Sequence, residues 1–216
     1  MSAPPEDLAA VWRDPEELRR RLDHAAPLHR RLELTLHRGD DGHEILRPPG
    51  LPREAAVLVG LVERRNGPFL LLTTRAAHLR HHAGQVSFPG GRVESSDPDA
   101  AAAALREAEE EVGLPPANVR VLGELPPYDT VTGFRIQPVV GWIRPPAAWI
   151  PDPLEVADVF EMPLGFVLNL ANHRRERRMR DGRMREYWTL PFDGRHVWGA
   201  TAGIIVNFVR LLHWRP

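Results

Sequence analysis

Three glutamates, Glu107, Glu110 and Glu111, are the side chains in this 216-residue chain whose spacing points most directly to chemistry. In a helical AAAAALREAEEEVGL segment, at about 100° per residue, they share an arc about 100° wide, while Glu109 points away and Leu105, Ala108 and Val112 make the buried side. Like charges one turn apart repel, so such a face is either spread into solvent or neutralised by a cation. Oxygen-only donors favour Mg²⁺ or Mn²⁺. Just upstream stands the turn Pro89-Gly90-Gly91, where glycines let backbone amides or carbonyls approach a phosphate or a metal with no side chain in the way. The chain has no Cys, which excludes disulfides, thiolate chemistry, cysteine-held zinc and iron–sulfur clusters. His78, His81 and His82 cluster in sequence, but neighbours on irregular backbone need not converge, and no histidine metal centre is expected.

The wider composition narrows the partners. All 28 basic residues are Arg, they face 29 acidic ones, and the formal charge of -1 gives no global attraction to a nucleic acid backbone. No window approaches the roughly 20 apolar residues needed to span a bilayer, and the start lacks the charged and apolar regions of a signal peptide. The expectation is a cytoplasmic protein acting on a small molecule, with neither nucleic acid nor membrane as partner. With 43% hydrophobic residues the chain can bury a sizeable core, and residues 1–216 read as one domain with 1–30 as an N-terminal helical extension.

The elements that must position the acidic face follow from periodicity and punctuation. Residues 14–26 read as a short helix, with Asp14 as cap, Pro15 in the first turn and Leu18 and Leu22 one turn apart. AAVLVGLVE and PFLLLTTR read as central strands joined by an RRNG turn, and QVSFPGG as an extended segment ending in the glycine turn. The acidic helix should run over residues 99–112, stopped by Gly113 and barred from continuing by Pro115 and Pro116. VRVLGEL, IQPVVGWI, REYWTLPF and HVWG read as strands, residues 163–172 as a helix or helix-turn-helix, and ATAGIIVNFVRLLHW as a helix packed on the sheet. The Arg-rich run HRRERRMRDGRMRE reads as a solvated loop or fraying helix. Phe134, Trp142, Phe160, Trp188 and Trp198 read as core or strand-packing residues.

GGRVESSDPDAAAAALREAEEEVGL resembles the Nudix box. Arg106, Glu107, Ala108, Glu110, Glu111, Gly113 and Leu114 fit its second half without a gap. The first half departs: counted from Gly91, the acidic position falls on Asp97, one residue out of register with Arg106, and Asp99 is another candidate. Upstream, LLTTRAAHLRHHAGQVSFPGG resembles the motif of the Nudix subfamily that hydrolyses coenzyme A, and PDPLEVADVFEMPL and HVWGATAGI are similar to later segments of that subfamily.

The resemblance implies an α/β fold, a Nudix-like α/β/α sandwich with a central mixed sheet, and a diphosphatase activity. It implies that Glu107, Glu110 and Glu111 hold one or more divalent cations, Mg²⁺ or Mn²⁺, joined by a carbonyl of Gly90 or Gly91. It implies that Arg106 orients a metal-binding glutamate, that Glu111 or Glu155 is the general base, and that Arg75, Arg80, His82 and Gln85 hold the charged or adenine-bearing part of coenzyme A. The expected products are 3',5'-adenosine bisphosphate and a 4'-phosphopantetheine compound. A generic ADP-ribose-like pyrophosphatase is the nearest alternative, followed by a catalytically silent nucleotide-binding protein, and a homodimer is compatible with the family.

Overall fold

The computed structural model describes residues 14–24, 51–79, 82–146, 148–180 and 183–213. Helix α1 (Pro15–His24) opens them, with the Asp14 side chain accepting from the Glu16 amide at 2.9 Å, as its capping role requires. Strands β1 (Arg53–Val62) and β2 (Phe69–Arg75) follow, antiparallel, joined by the expected turn, which closes through Gly67 N–H to the Arg64 carbonyl at 3.0 Å. The extended QVSFPGG segment divides into β3 (Val86–Ser87), paired with β2, and β4 (Gly90–Arg92), paired with β1.

Helix α2 (Ala100–Val112) carries the acidic face. Asp99 caps its first turn by accepting from the Ala102 amide at 2.7 Å, and Gly113, left-handed at φ 67°, ends it with its N–H on the Glu109 carbonyl. After a 3₁₀ turn come β5 (Val119–Glu124), β6 (Tyr128–Asp129), β7 (Phe134–Ile143) and β8 (Val156–Pro163). Then follow the short helix α3 (Leu164–Leu168), the strands β9 (Arg174–Arg180), β10 (Arg183–Phe192) and β11 (Arg195–Trp198), and the long helix α4 (Gly199–His213).

Eight strands form one sheet with the path β3-β2-β1-β7-β5, to which β4, β6 and β8 attach. β1 and β7 run parallel over their whole length, from Arg53 opposite Phe134 to Val62 opposite Ile143, and the other pairs are antiparallel, so the sheet is mixed. Side-chain alternation splits the core in two. On one face Ala56, Leu58, Leu71, Val139 and Ile143 pack against Ala104, Ala108 and Val112 of α2. On the other, Val59, Leu61, Leu70, Leu72 and Val140 pack against Ile205 and Phe208 of α4 and Leu18 and Leu22 of α1. This is the α/β/α sandwich that the box implied. Among the described residues, no helix is long and apolar enough to cross a membrane.

Two expectations change. The Arg-rich run is neither loop nor helix but the antiparallel hairpin β9–β10, with Glu186 opposite Arg177 and Trp188 opposite Arg175. Arg175 and Arg177 clasp Glu186 at 3.0 and 2.6 Å, and Arg175 stacks 4.5 Å from the Trp188 ring, contacts that only strand pairing provides. The VADVFEMP segment, not anticipated as a strand, is β8, which pairs with β2 along its length. Its acids Asp158 and Glu161 hid the alternation. They are paid for by Arg195 at 2.7 Å and by Arg64 and Trp149 at 2.9 Å.

Candidate active site

Wherever a helix lies flat on a sheet, the residues along its contact stripe are buried whatever their polarity. In α2 that stripe runs through Ala104, Ala108 and Val112 and also takes in Glu111, whose side chain is only 3% exposed. The Glu111 carboxylate accepts from the Gly90 N–H at 3.3 Å and lies 3.9 Å from Nη1 of Arg75. Burial pushes its pKa up to about 8; Arg75 and the Gly90 amide pull against that shift, while Glu107 and Glu155 add to it. Glu107, half-buried, is likewise raised, chiefly by desolvation, with Arg106 opposing and Glu110 and Glu155 reinforcing. Three carboxylates on two elements, Glu107, Glu111 and Glu155, therefore share one field.

The glycines make room for this cluster. A Cβ on Gly91 would collide with the Glu107 carboxylate. Gly90 sits at φ 151°, where a side chain would strike the β1 backbone at Ala56 and Val57. Glu110 is exposed and shares Nη1 of Arg106 with Glu107, each at 3.0 Å. The helical wheel thus grouped the three carboxylates correctly by angle, but the sheet buries Glu111 and leaves Glu110 in solvent.

Arg106 ties the box together. It forms a two-pronged pair with Asp97 at 3.1 Å on each prong, donates to Glu107 at 3.0 Å, and reaches the Arg92 carbonyl at 3.1 Å. Asp97 also accepts from the Glu94 amide at 2.8 Å, and these bonds, Arg106 first, hold its carboxyl below the usual range. The register ambiguity is thereby resolved: Asp97 partners Arg106 and Asp99 caps the helix.

The upstream motif returns to the same place. Arg75 at the end of β2 exchanges backbone bonds with the segment that follows it, its N–H on Gln85 at 2.9 Å and its carbonyl receiving Gly84 at 3.0 Å. His82, at φ 58°, and Gln85 bond to each other at 2.8 Å. Arg80 lies outside the described residues.

Glu155 arrives on a strap of residues 150–155. The strap hangs from the end of α2 through Ile150 N–H to the Val112 carbonyl and Asp152 N–H to the Glu111 carbonyl, each 3.0 Å. It is tied to the upstream loop by Ala76 N–H to the Glu155 carbonyl at 2.8 Å and by His78 Nε2 with the Leu154 carbonyl at 3.0 Å. Asp152 shapes its turn, accepting from the Leu154 amide at 2.9 Å. No sequence spacing signals these backbone bonds; the one legible cue is the turn-former Asp152 three residues before Glu155.

Among the described residues no group of three carboxylate or imidazole side chains already forms a ready-made ion shell. The donor set nonetheless fits a hard cation. Mg²⁺-like ions take one or two carboxylates and complete their coordination with water and substrate phosphate, and a buried carboxylate facing a second one is stabilised by such a charge. The chemistry available is metal-assisted hydrolysis of a phosphoanhydride.

The NUDIX domain family matches residues 52–167 of the chain. An uncharacterized Nudix hydrolase, NudL, of Salmonella typhimurium is 52% identical over 188 residues, covering 85% of this chain and 97% of that protein. The NudL of Citrobacter koseri, likewise uncharacterized, is 51% identical over 164 residues, 76% of this chain and 85% of its own length. Among solved structures, the Nudix hydrolase RenU of M. smegmatis superposes with a TM-score of 0.45 at 24% identity, over 53% of this chain and 72% of that one.

Proposed function

Because this chain belongs to the Nudix family and is a pyrophosphohydrolase, of a kind that generally uses divalent cations, we propose that it hydrolyses the diphosphate of coenzyme A or a derivative with Mg²⁺ or Mn²⁺. The products are 3',5'-adenosine bisphosphate and a 4'-phosphopantetheine compound. One observation carries the substrate: the segment resembling the coenzyme A motif, closed on itself by the Arg75, Gln85 and Gly84 backbone bonds, sets the Arg75 guanidinium 3.9 Å from Glu111 of the box.

In this reading Glu107 and Glu111 hold the cation, with Glu110 within the same acidic face and the Gly90–Gly91 turn beside them. The bound cation screens the diphosphate charge and stabilises negative charge developing on the leaving phosphate. Arg106 keeps Glu107 aimed by pairing it while Asp97 anchors the guanidinium from behind. Arg75 offers its forked donors to the diphosphate oxygens. Glu155, on the exposed strap, accepts the proton of the attacking water; the water oxygen bonds to phosphorus as the bond to the bridging oxygen breaks, and the leaving phosphate departs with that electron pair. His82, Gln85 and Arg80 contribute to holding the adenine-bearing end.

The test is direct. Purified protein is incubated with Mg²⁺ or Mn²⁺ and coenzyme A, acetyl coenzyme A, oxidised coenzyme A, ADP-ribose and dinucleotides, and products are identified by mass. Cleavage of coenzyme A compounds to 3',5'-adenosine bisphosphate is expected. Hydrolysis of ADP-ribose without cleavage of any coenzyme A compound would overturn the substrate.

A further inference from the structure

At the end of the sheet beside the glycine turn, alternation gathers three side chains that the chemistry above leaves unused. Arg53 stands opposite Phe134 across β1 and β7, and Arg92 stands opposite Ala55 across β4 and β1. Ala56 and Leu58 face α2, so Arg53, Arg92 and Phe134 fall on the α4 face of the sheet. There the guanidinium carbon of Arg53 lies 3.9 Å from the Phe134 ring centroid and that of Arg92 lies 5.8 Å from it. Arg53 also donates to the Thr132 carbonyl at 2.9 Å. Both arginines are exposed. Among the described residues their guanidiniums meet the ring and that carbonyl, neither of them an anion.

Two cations gathered on one aromatic ring repel each other, and the ring orients them without using up their N–H donors. An anion between them relieves the repulsion and takes up those donors in forked geometry. The location is specific. Arg92 follows the Gly90–Gly91 turn directly, and its carbonyl is held by Arg106 at 3.1 Å, so it is one residue from Gly91, which abuts the Glu107 carboxylate, but its side chain is turned to the opposite face of the sheet. Among the described strands β4 pairs only with β1, and its other edge presents the Gly90 N–H to Glu111 and the Arg92 carbonyl to Arg106, so the box side chains and the Arg92 guanidinium meet at one rim of the sheet.

We propose that Arg53 and Arg92, seated on Phe134, form a subsite for a phosphomonoester remote from the diphosphate that is cleaved. The identity of that group as the ribose 3'-phosphate rests on the coenzyme A reading. Such a monoester carries close to two negative charges at neutral pH, matching the two guanidiniums.

The readout is the ratio of kcat/KM for coenzyme A to that for 3'-dephospho-coenzyme A. Wild type is expected to favour coenzyme A by about 10- to 100-fold, the worth of one or two charged hydrogen bonds. Arg92→Ala and Arg53→Ala should each pull the ratio towards one, and Phe134→Leu should lower it partway by releasing both guanidiniums. A fall shared equally by both substrates, leaving the ratio intact, would overturn the subsite. Melting curves report folding, and Arg→Gln replaces any alanine variant that melts early. Calorimetry with adenosine 3',5'-bisphosphate and with AMP separates the two readings. If wild type binds the bisphosphate more tightly and Arg92→Ala loses that preference, the subsite stands even in a protein that fails to cleave coenzyme A. Equal affinities in wild type would sink the subsite even where coenzyme A is cleaved.

Discussion

Glu111 carries the sharpest consequence at the scale of single residues. In the cation-free protein its pKa stands near 8 because it is buried, against 4.5 when free in the chain. The folded state therefore binds more protons than the unfolded state between those values, and stability falls as pH rises through that window, levelling off above about 8. Glu111→Gln imitates the protonated form and should remove that fall. In chelator, the melting temperature of the variant should gain several degrees on wild type between pH 5 and 8, given about 2–4 °C per kcal/mol for a chain of this size. Parallel pH profiles for the two proteins would contradict the burial. A divalent cation favours the ionised carboxylate, so the same variant, though more stable without metal, should lose most of its metal affinity and turnover. That Glu111 shares a helix face with Glu107 was legible in their spacing. Its burial was not, because a wheel gives an angle around the helix axis and not the depth at which the sheet meets it.

At the scale of elements, the candidate site draws on a turn, a helix and a strap, and each tolerates change for a different reason. Asp99, Gly113 and the two prolines marked the ends of α2 in the sequence because caps are local chemistry. The Gly90–Gly91 turn was equally plain, but the reason for its second glycine is tertiary: a Cβ there would collide with the Glu107 carboxylate. Gly91→Ala should therefore leave the melting temperature within a few degrees of wild type while lowering kcat by at least about 10-fold, because the displaced carboxylate is held out of position. A variant with full turnover would show that Glu107 need not stay where it is. Strand β9, with the Arg-rich start of β10, and strand β8 were not legible in the sequence for one shared reason. Their strand periodicity is carried by charged residues, whose alternation is visible only once the partners Glu186, Arg195 and Arg64 are in place.

For the molecule as a whole, α1 closes the α4 face of the sandwich. Leu18 and Leu22 are buried in the same core as Leu211 and Leu212, and Arg21 reaches the Leu212 carbonyl at 3.3 Å. Leu18→Ala should cost about 2–5 kcal/mol, the usual penalty for a cavity at a buried leucine. Calorimetry should register that as a melting temperature lower by about 5–15 °C, with turnover at 25 °C little changed, because the box packs on the other face. An unchanged melting point would mean that α1 does not contribute to the core. By itself the sequence determined the family, the box helix and its ends, and the absence of thiolate ligands from any metal site, since these depend on residue type and short spacing alone. Tertiary structure alone decided which glutamate is buried, that Asp97 rather than Asp99 anchors Arg106, and that Arg75 and the Glu155 strap meet the box. Those facts depend on contacts between segments far apart in the chain, where burial and backbone hydrogen bonds, not spacing, set the distances.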